Sequence, residues 1–268
     1  MMTILDSNVK FNKVTFNMEN DQIITDTAGI HMAYSKVEIA DCIFDGSPYD
    51  YIYTRVYSLK IKDINGSFIA AYQYSTLSIT GKTTFNGGRG TLGGCILLMG
   101  LSEASIEGAS FELCAAMYGG AIYAEGHKSL EIKDSTFSDN IAYQGYGENI
   151  YSSKANEKLH IQSSTLSSYH NSIYTTGYEF IFTGSTVSGK SQPKVSSLAF
   201  RVDGGGIYIE QTSLVTISDD SSFKDLTGRN GGCLYIKQDR NSVTAMDEYE
   251  GSYEKNAIDI STSNFENC

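Results

Sequence analysis

Apolar residues alternate with polar ones in short runs along the chain, as in Leu130-Glu131-Ile132-Lys133, and a period of two predicts β-strand. No segment carries a sustained helical period with caps. The runs also recur. A Gly-Gly-x-Ile/Leu element appears at Gly93-Gly94-Cys95-Ile96, Gly119-Gly120-Ala121-Ile122, Gly204-Gly205-Gly206-Ile207 and Gly231-Gly232-Cys233-Leu234. Looser copies end at Ile150, Ile173 and Ile258. The aliphatic residues of successive copies stand about 23 to 34 positions apart. Behind each comes an apolar pair and then an aromatic or aliphatic residue: Leu130, Ile132 and Phe137 after Ile122, and Val215, Ile217 and Phe223 after Ile207.

Three short strands in about 25 residues read as one coil of a parallel β-helix. The expectation is an all-β, right-handed solenoid of about ten coils, forming a single domain over residues 1–268. Residues 1–84 are degenerate coils, 85–268 are clear repeats, and 188–203 is an inserted loop. Both termini fall inside a coil, so the chain reads as a fragment of a longer solenoid, open to end-to-end stacking with further coils. The paired glycines are expected at strand-entry corners rather than in a phosphate loop, since no Lys-Ser/Thr follows them.

Parity separates the two faces of the first strand. Ile122, Ile207 and Leu234 point inward, so Tyr53, Tyr123, Tyr151, Tyr174, Tyr208 and Tyr235 form an outward ladder that ends in Asp259. The ladder is either a stack that stabilises the sheet or a stripe for binding sugar or protein. The opposite parity, with Tyr inside, is a third possibility. The basic residues Lys190, Lys194 and Arg201 of the inserted loop are the other candidate contacts on an acidic chain of net charge -11. That charge disfavours nucleic acid, and the longest apolar run, Ile96–Leu101, is too short to span a bilayer. Asn65-Gly66-Ser67 is a glycosylation sequon if the chain is exported.

The five cysteines, Cys42, Cys95, Cys114, Cys233 and Cys268, form no CxxC pair and read as isolated thiols acting as small apolar residues. Cys95 and Cys233 lie too many coils apart to bond to each other. No metal or cofactor site is apparent. His127, Asp219-Asp220 and the acidic stretch Asp247–Glu250 read as solvated turns or bulges, and a catalytic cluster is not expected.

Gly119-Gly120-Ala121-Ile122 together with Phe137-Ser138-Asp139-Asn140 resembles the GGA(I/L/V) and FxxN repeats of the chlamydial polymorphic membrane proteins and related protist surface proteins. Phe111, Phe223 and Phe265 keep the aromatic but lose the Asn. The resemblance implies a right-handed parallel β-helix of the pectin-lyase-like superfamily, with exposed surfaces used in adhesion. The expected function is therefore a non-catalytic, rigid surface for adhesion or assembly with a protein or glycan partner, outside the cell or on its surface. The alternatives are an intracellular filament or ciliary component and a polysaccharide lyase or hydrolase.

Overall fold

The computed structural model describes residues 2–17, 28–46, 67–190, 203–238 and 257–268. Among these residues every helix or strand assigned is a strand. Each strand pairs in parallel with its equivalents one repeat before and one repeat after. Ile96 lies between Ile69 and Ile122, Ile106 between Ile79 and Ile132, and Phe111 between Phe85 and Phe137. The third strands form a 9-stranded sheet. The first and second strands form a 15-stranded sheet. These two sets join because Ile150–Gln162, Ile173–Thr183 and Ile207–Ser218 each run through both positions as one strand. The described residues hold nine repeats.

In-register pairing turns each apolar position of the repeat into a buried row. One row runs through Ile30, Ile69, Ile96, Ile122, Ile150, Ile173 and Ile207. The third strands add a column of parallel phenyl rings: Phe16, Phe44, Phe85, Phe111 and Phe137, with centroids 4.5 to 4.7 Å apart. Leu166 and Val187 interrupt the column before Phe223 and Phe265 resume it at 4.8 Å. Strand spacing brings like rings to stacking distance, so burial and ring contact reinforce each other.

The corners must supply partners for backbone groups that leave the ladder. Between the second and third strands a residue with positive φ turns the chain, such as Asp134, Ser163 or Gly184, and a small polar residue follows it inside. The Ser135 hydroxyl accepts from the Ala109 N–H at 3.3 Å and donates to the Lys133 carbonyl at 2.8 Å. Ser164 and Ser185 repeat this arrangement in the next two repeats. Ser35, Ser75 and Ser102 form the equivalent column at the corner between the first and second strands.

The paired glycines have a steric cause. Gly119 has φ +62°, and a Cβ there would meet the Ile122 carbonyl. A Cβ on Gly120 would meet the Glu148 carbonyl of the next repeat. The first glycine supplies the left-handed backbone and the second admits the neighbouring chain.

The reading of the cysteines as isolated thiols is overturned. Cys95 bonds to Cys114 and Cys233 to Cys268, with Cα atoms 5.9 and 5.1 Å apart, and only Cys42 is free and buried. Both bridges join the third place of a Gly-Gly-x element to the third place after a Phe, across the inside of one repeat. Asn140 holds the second of these places in the repeat of Phe137. It bonds to Asn149 at 2.9 Å and accepts from the Cys114 N–H at 2.9 Å. Leu226, after Phe223, instead fills the space above Gly206.

A second correction concerns the looser copy ending at Ile258, where the structure describes Ala257–Ile260. Ile258 pairs with Val215 and Asp259 with Thr216, so this segment is a second strand and not the start of another repeat. The spacing misleads because Leu234–Lys237 already takes the first-strand place beside Ile207–Ser218.

Phe111→Ala should lower stability by about 3–5 kcal/mol by opening a gap in the ring column. Ser135→Ala should cost about 1–3 kcal/mol, because the Ala109 N–H loses its acceptor. Both are measurable by urea unfolding. The unreduced, denatured chain should show one titratable thiol, Cys42. Loss of the Cys95–Cys114 bridge should cost about 3 kcal/mol for a loop of its length.

Candidate functional site

Alternation along the first strand puts a tyrosine opposite the buried isoleucine row, and register stacks these tyrosines directly. Tyr123 pairs with Tyr151, Tyr151 with Tyr174, Tyr174 with Tyr208 and Tyr208 with Tyr235. Successive ring centroids are 4.9, 4.6, 5.2 and 5.2 Å apart. The next positions down the same row are Leu97, Ala70, His31 and Thr3. Tyr53 lies outside the described residues, and Asp259 belongs to another strand.

The ladder stands on the outward parity, but it is not an open stripe. Tyr123 and Tyr208 are each only 7% exposed. The residues just before the turning glycines fold over the rings. Tyr118 packs on Tyr151 at 5.5 Å, and Tyr146 meets Tyr174 and Tyr208 edge-on at 5.6 and 5.9 Å. Leu97, Leu92 and Met99 extend this second apolar cluster. Each ring also spends its faces on its neighbours, so the flat surface that a sugar would stack on is already occupied.

The phenols of Tyr123 and Tyr174 donate to Glu125 Oε2 at 2.8 Å and Glu210 Oε2 at 3.0 Å. Lys154 and Lys237 hold those carboxylates from the far side at 2.8 and 2.6 Å. Burial first, then the neighbouring carboxylates and phenols, raise Tyr123 and Tyr174 well above the ordinary phenol range. Burial and the charge of Glu210 push Tyr208 up to about 12. The phenols are neutral at physiological pH.

The inserted-loop candidates divide. Lys190 is described, and it is committed to Asp139 at 2.7 Å. Lys194 and Arg201 lie outside the described residues, as do Asn65 and the acidic stretch 247–250. Asp219 and Asp220 occupy an exposed turn with φ of 56° and 60°, as read from the sequence.

Lys190 belongs to a polar group that sequence reading did not find. Asp139 also accepts the Tyr169 hydroxyl at 3.0 Å. Beside it, buried Glu148 accepts the backbone N–H groups of Tyr169 and His170 at 2.6 and 3.0 Å and meets His170 Nδ1 at 2.7 Å. Burial pulls the His170 imidazole down, but the hydrogen bond and charge of Glu148 outweigh it and leave it above its ordinary value. Tyr169, His170, Lys190, Asp225, Leu226 and Thr227 line a groove of about 420 Å³. Glu148 stands where other repeats carry the second glycine, and that exception was the available signal. Among the described residues no three His, Cys, Asp or Glu side chains group as metal ligands.

His127 corrects another expectation. It is buried, not solvated, and takes the inner corner place that Ser102 holds one repeat earlier. Neither of its ring nitrogens has a hydrogen-bond partner among the described residues. The following Lys128 takes the solvent side of the turn, paired with Glu103 at 3.2 Å.

Comparison of the chain with protein-family models, with curated proteins and with solved structures finds no match.

Burial pushes the His127 imidazole down from 6.5 to about 4. The unfolded chain therefore takes up this proton first on acidification. The associated stability is complete above about pH 6.5 and is lost as pH falls towards 4, by up to about 3 kcal/mol. His127→Ser restores the corner hydroxyl that Ser35, Ser75 and Ser102 supply in the preceding repeats. Its urea midpoint should fall less than that of the parent over this window; superimposable profiles would refute the assignment.

Proposed function

We propose that the chain is a right-handed parallel β-helix acting as a non-catalytic, rigid surface for adhesion or assembly outside the cell or on its surface. The strand pairing supports the architecture: equivalent strands of successive repeats pair in parallel, always one repeat apart. A parallel barrel is the competing architecture, favoured by the joining of the first and second strands into one 15-stranded sheet.

The observation that carries the location is the pair of disulfides in equivalent slots of two repeats. Bridges of this kind persist in oxidising compartments, which weighs against the intracellular filament reading. They also bear on the resemblance to the polymorphic membrane protein repeats. The two cystines join the Gly-Gly-x and Phe-x-x slots of one repeat, while Asn140 of the FxxN element bonds across to Asn149 in the Gly-Gly-x slot of the next repeat. The groove beside Tyr169, His170 and Lys190 offers both charges and an aromatic ring, and it is the contact site of this proposal in place of the covered tyrosine ladder.

The test uses beads coated with the oxidised protein, applied to cultured cells and to arrayed glycans. Retention that is lost in the Lys190→Glu, His170→Ala double variant, with its urea midpoint reported alongside, is the expected result. Equal retention by the variant would remove the groove. Release of reducing ends or unsaturated sugars from acidic polysaccharides would overturn the non-catalytic reading.

A further inference from the structure

The tyrosine stack has a property that packing alone does not need. Five phenol rings run in unbroken contact from Tyr123 to Tyr235, with no step longer than 5.2 Å. The chain has no Trp, so tyrosine is its most readily oxidised aromatic ring. Two of the phenols already donate to a carboxylate at hydrogen-bond distance, Tyr123 to Glu125 and Tyr174 to Glu210. A carboxylate at that distance can take the proton a phenol must release when it loses an electron. The column ends against Leu97, which carries no oxidisable ring.

We propose that this column is a one-electron conduit and an oxidative cross-linking site, in which a hole placed on one ring moves between Tyr123 and Tyr235 and is finally trapped as a covalent bond between tyrosines of adjacent repeats. The oxidant is a small radical. It removes one electron from a ring such as Tyr174 and is itself reduced, while the phenolic proton passes to Glu210 and a neutral phenoxyl radical remains. Migration is exchange with the next phenol: Tyr151 gives up an electron and a proton, and Tyr174 regains one of each. A second radical removes a second electron and proton from the same column. The two phenoxyl radicals join through their ortho carbons, and each ring hydrogen at the junction moves to its phenol oxygen. The balance is two tyrosines to one dityrosine, with two electrons and two protons lost.

The molecule carries its own control. Tyr34 and Tyr74 are 53% and 66% exposed and lie 6.3 Å apart, outside the column. Oxidation governed by access alone would mark these two first.

The experiment is brief photo-oxidation of the folded, disulfide-bonded protein with ruthenium tris-bipyridine and persulfate. Dityrosine fluorescence and peptide mass mapping are the readouts. The expected result is a product lacking two hydrogens, with cross-links between tyrosines of the 123–235 column in excess of Tyr34–Tyr74. Tyr151→Phe keeps a ring in the stack but removes its redox-active phenol. Modification at Tyr123 after oxidation should then separate from that at Tyr174 and Tyr208, and the yield at Tyr123 should fall. Oxidation that follows exposure, with Tyr34 and Tyr74 marked first and no effect of Tyr151→Phe, would overturn the proposal. An unchanged urea midpoint for the variant shows that the stack remains folded.

Discussion

The whole structure depends on parallel pairing in strict register, because it places each residue directly over its equivalent in the next repeat at the strand spacing. A side chain then has to suit not only its face but also a near copy of itself a few ångströms away. Isoleucine over isoleucine, phenyl over phenyl and tyrosine over tyrosine satisfy that demand. Serine satisfies it at the corners, because one hydroxyl can accept from the repeat before and donate to its own strand end.

The same demand explains where the repeat changes. Strands that pair in register bring chain entry points together, so the second glycine yields only where space opens. Glu148 and Asn171 take its place in two adjacent repeats, and both are buried in hydrogen bonds. His127 breaks the corner serine column, and its ring nitrogens gain no hydrogen-bond partner among the described residues. These exceptions lie in the middle of the molecule, and the groove beside Tyr169 and His170 lies next to the first of them. A site assembled this way combines a rigid frame with a locally irregular lining.

The tyrosine column and the groove divide the functional candidates by physical role. The column is covered from outside by Tyr118 and Tyr146 and consumes its own ring faces, so stacking, redox chemistry and stability are its natural properties. The groove keeps charged and aromatic groups at an accessible edge, which suits contact with a partner. The two cystines stiffen repeats at separate positions along the chain.

Much of the frame was legible in the chain alone. Period-two runs gave the strands, the recurrence of Gly-Gly-x-Ile gave the repeats, and parity assigned the isoleucines inward and the tyrosines outward. Register along one strand is a local property, so these inferences needed no tertiary information. The degenerate copy at Ile258 misled because its spacing resembles a repeat, while its strand pairs with the second half of Ile207–Ser218. The cystines escaped notice although their positions are regular: two follow Gly-Gly and two stand three places after a Phe. Their pairing joins opposite ends of one repeat, and that proximity exists only when the chain has turned its corners. The covering of the ladder, the burial of His127 and the meeting of Glu148 with His170 have the same origin. The sequence by itself determined which residues share a face; the tertiary structure decided which faces are covered and which distant residues meet, because both depend on how the corners direct the chain across neighbouring repeats.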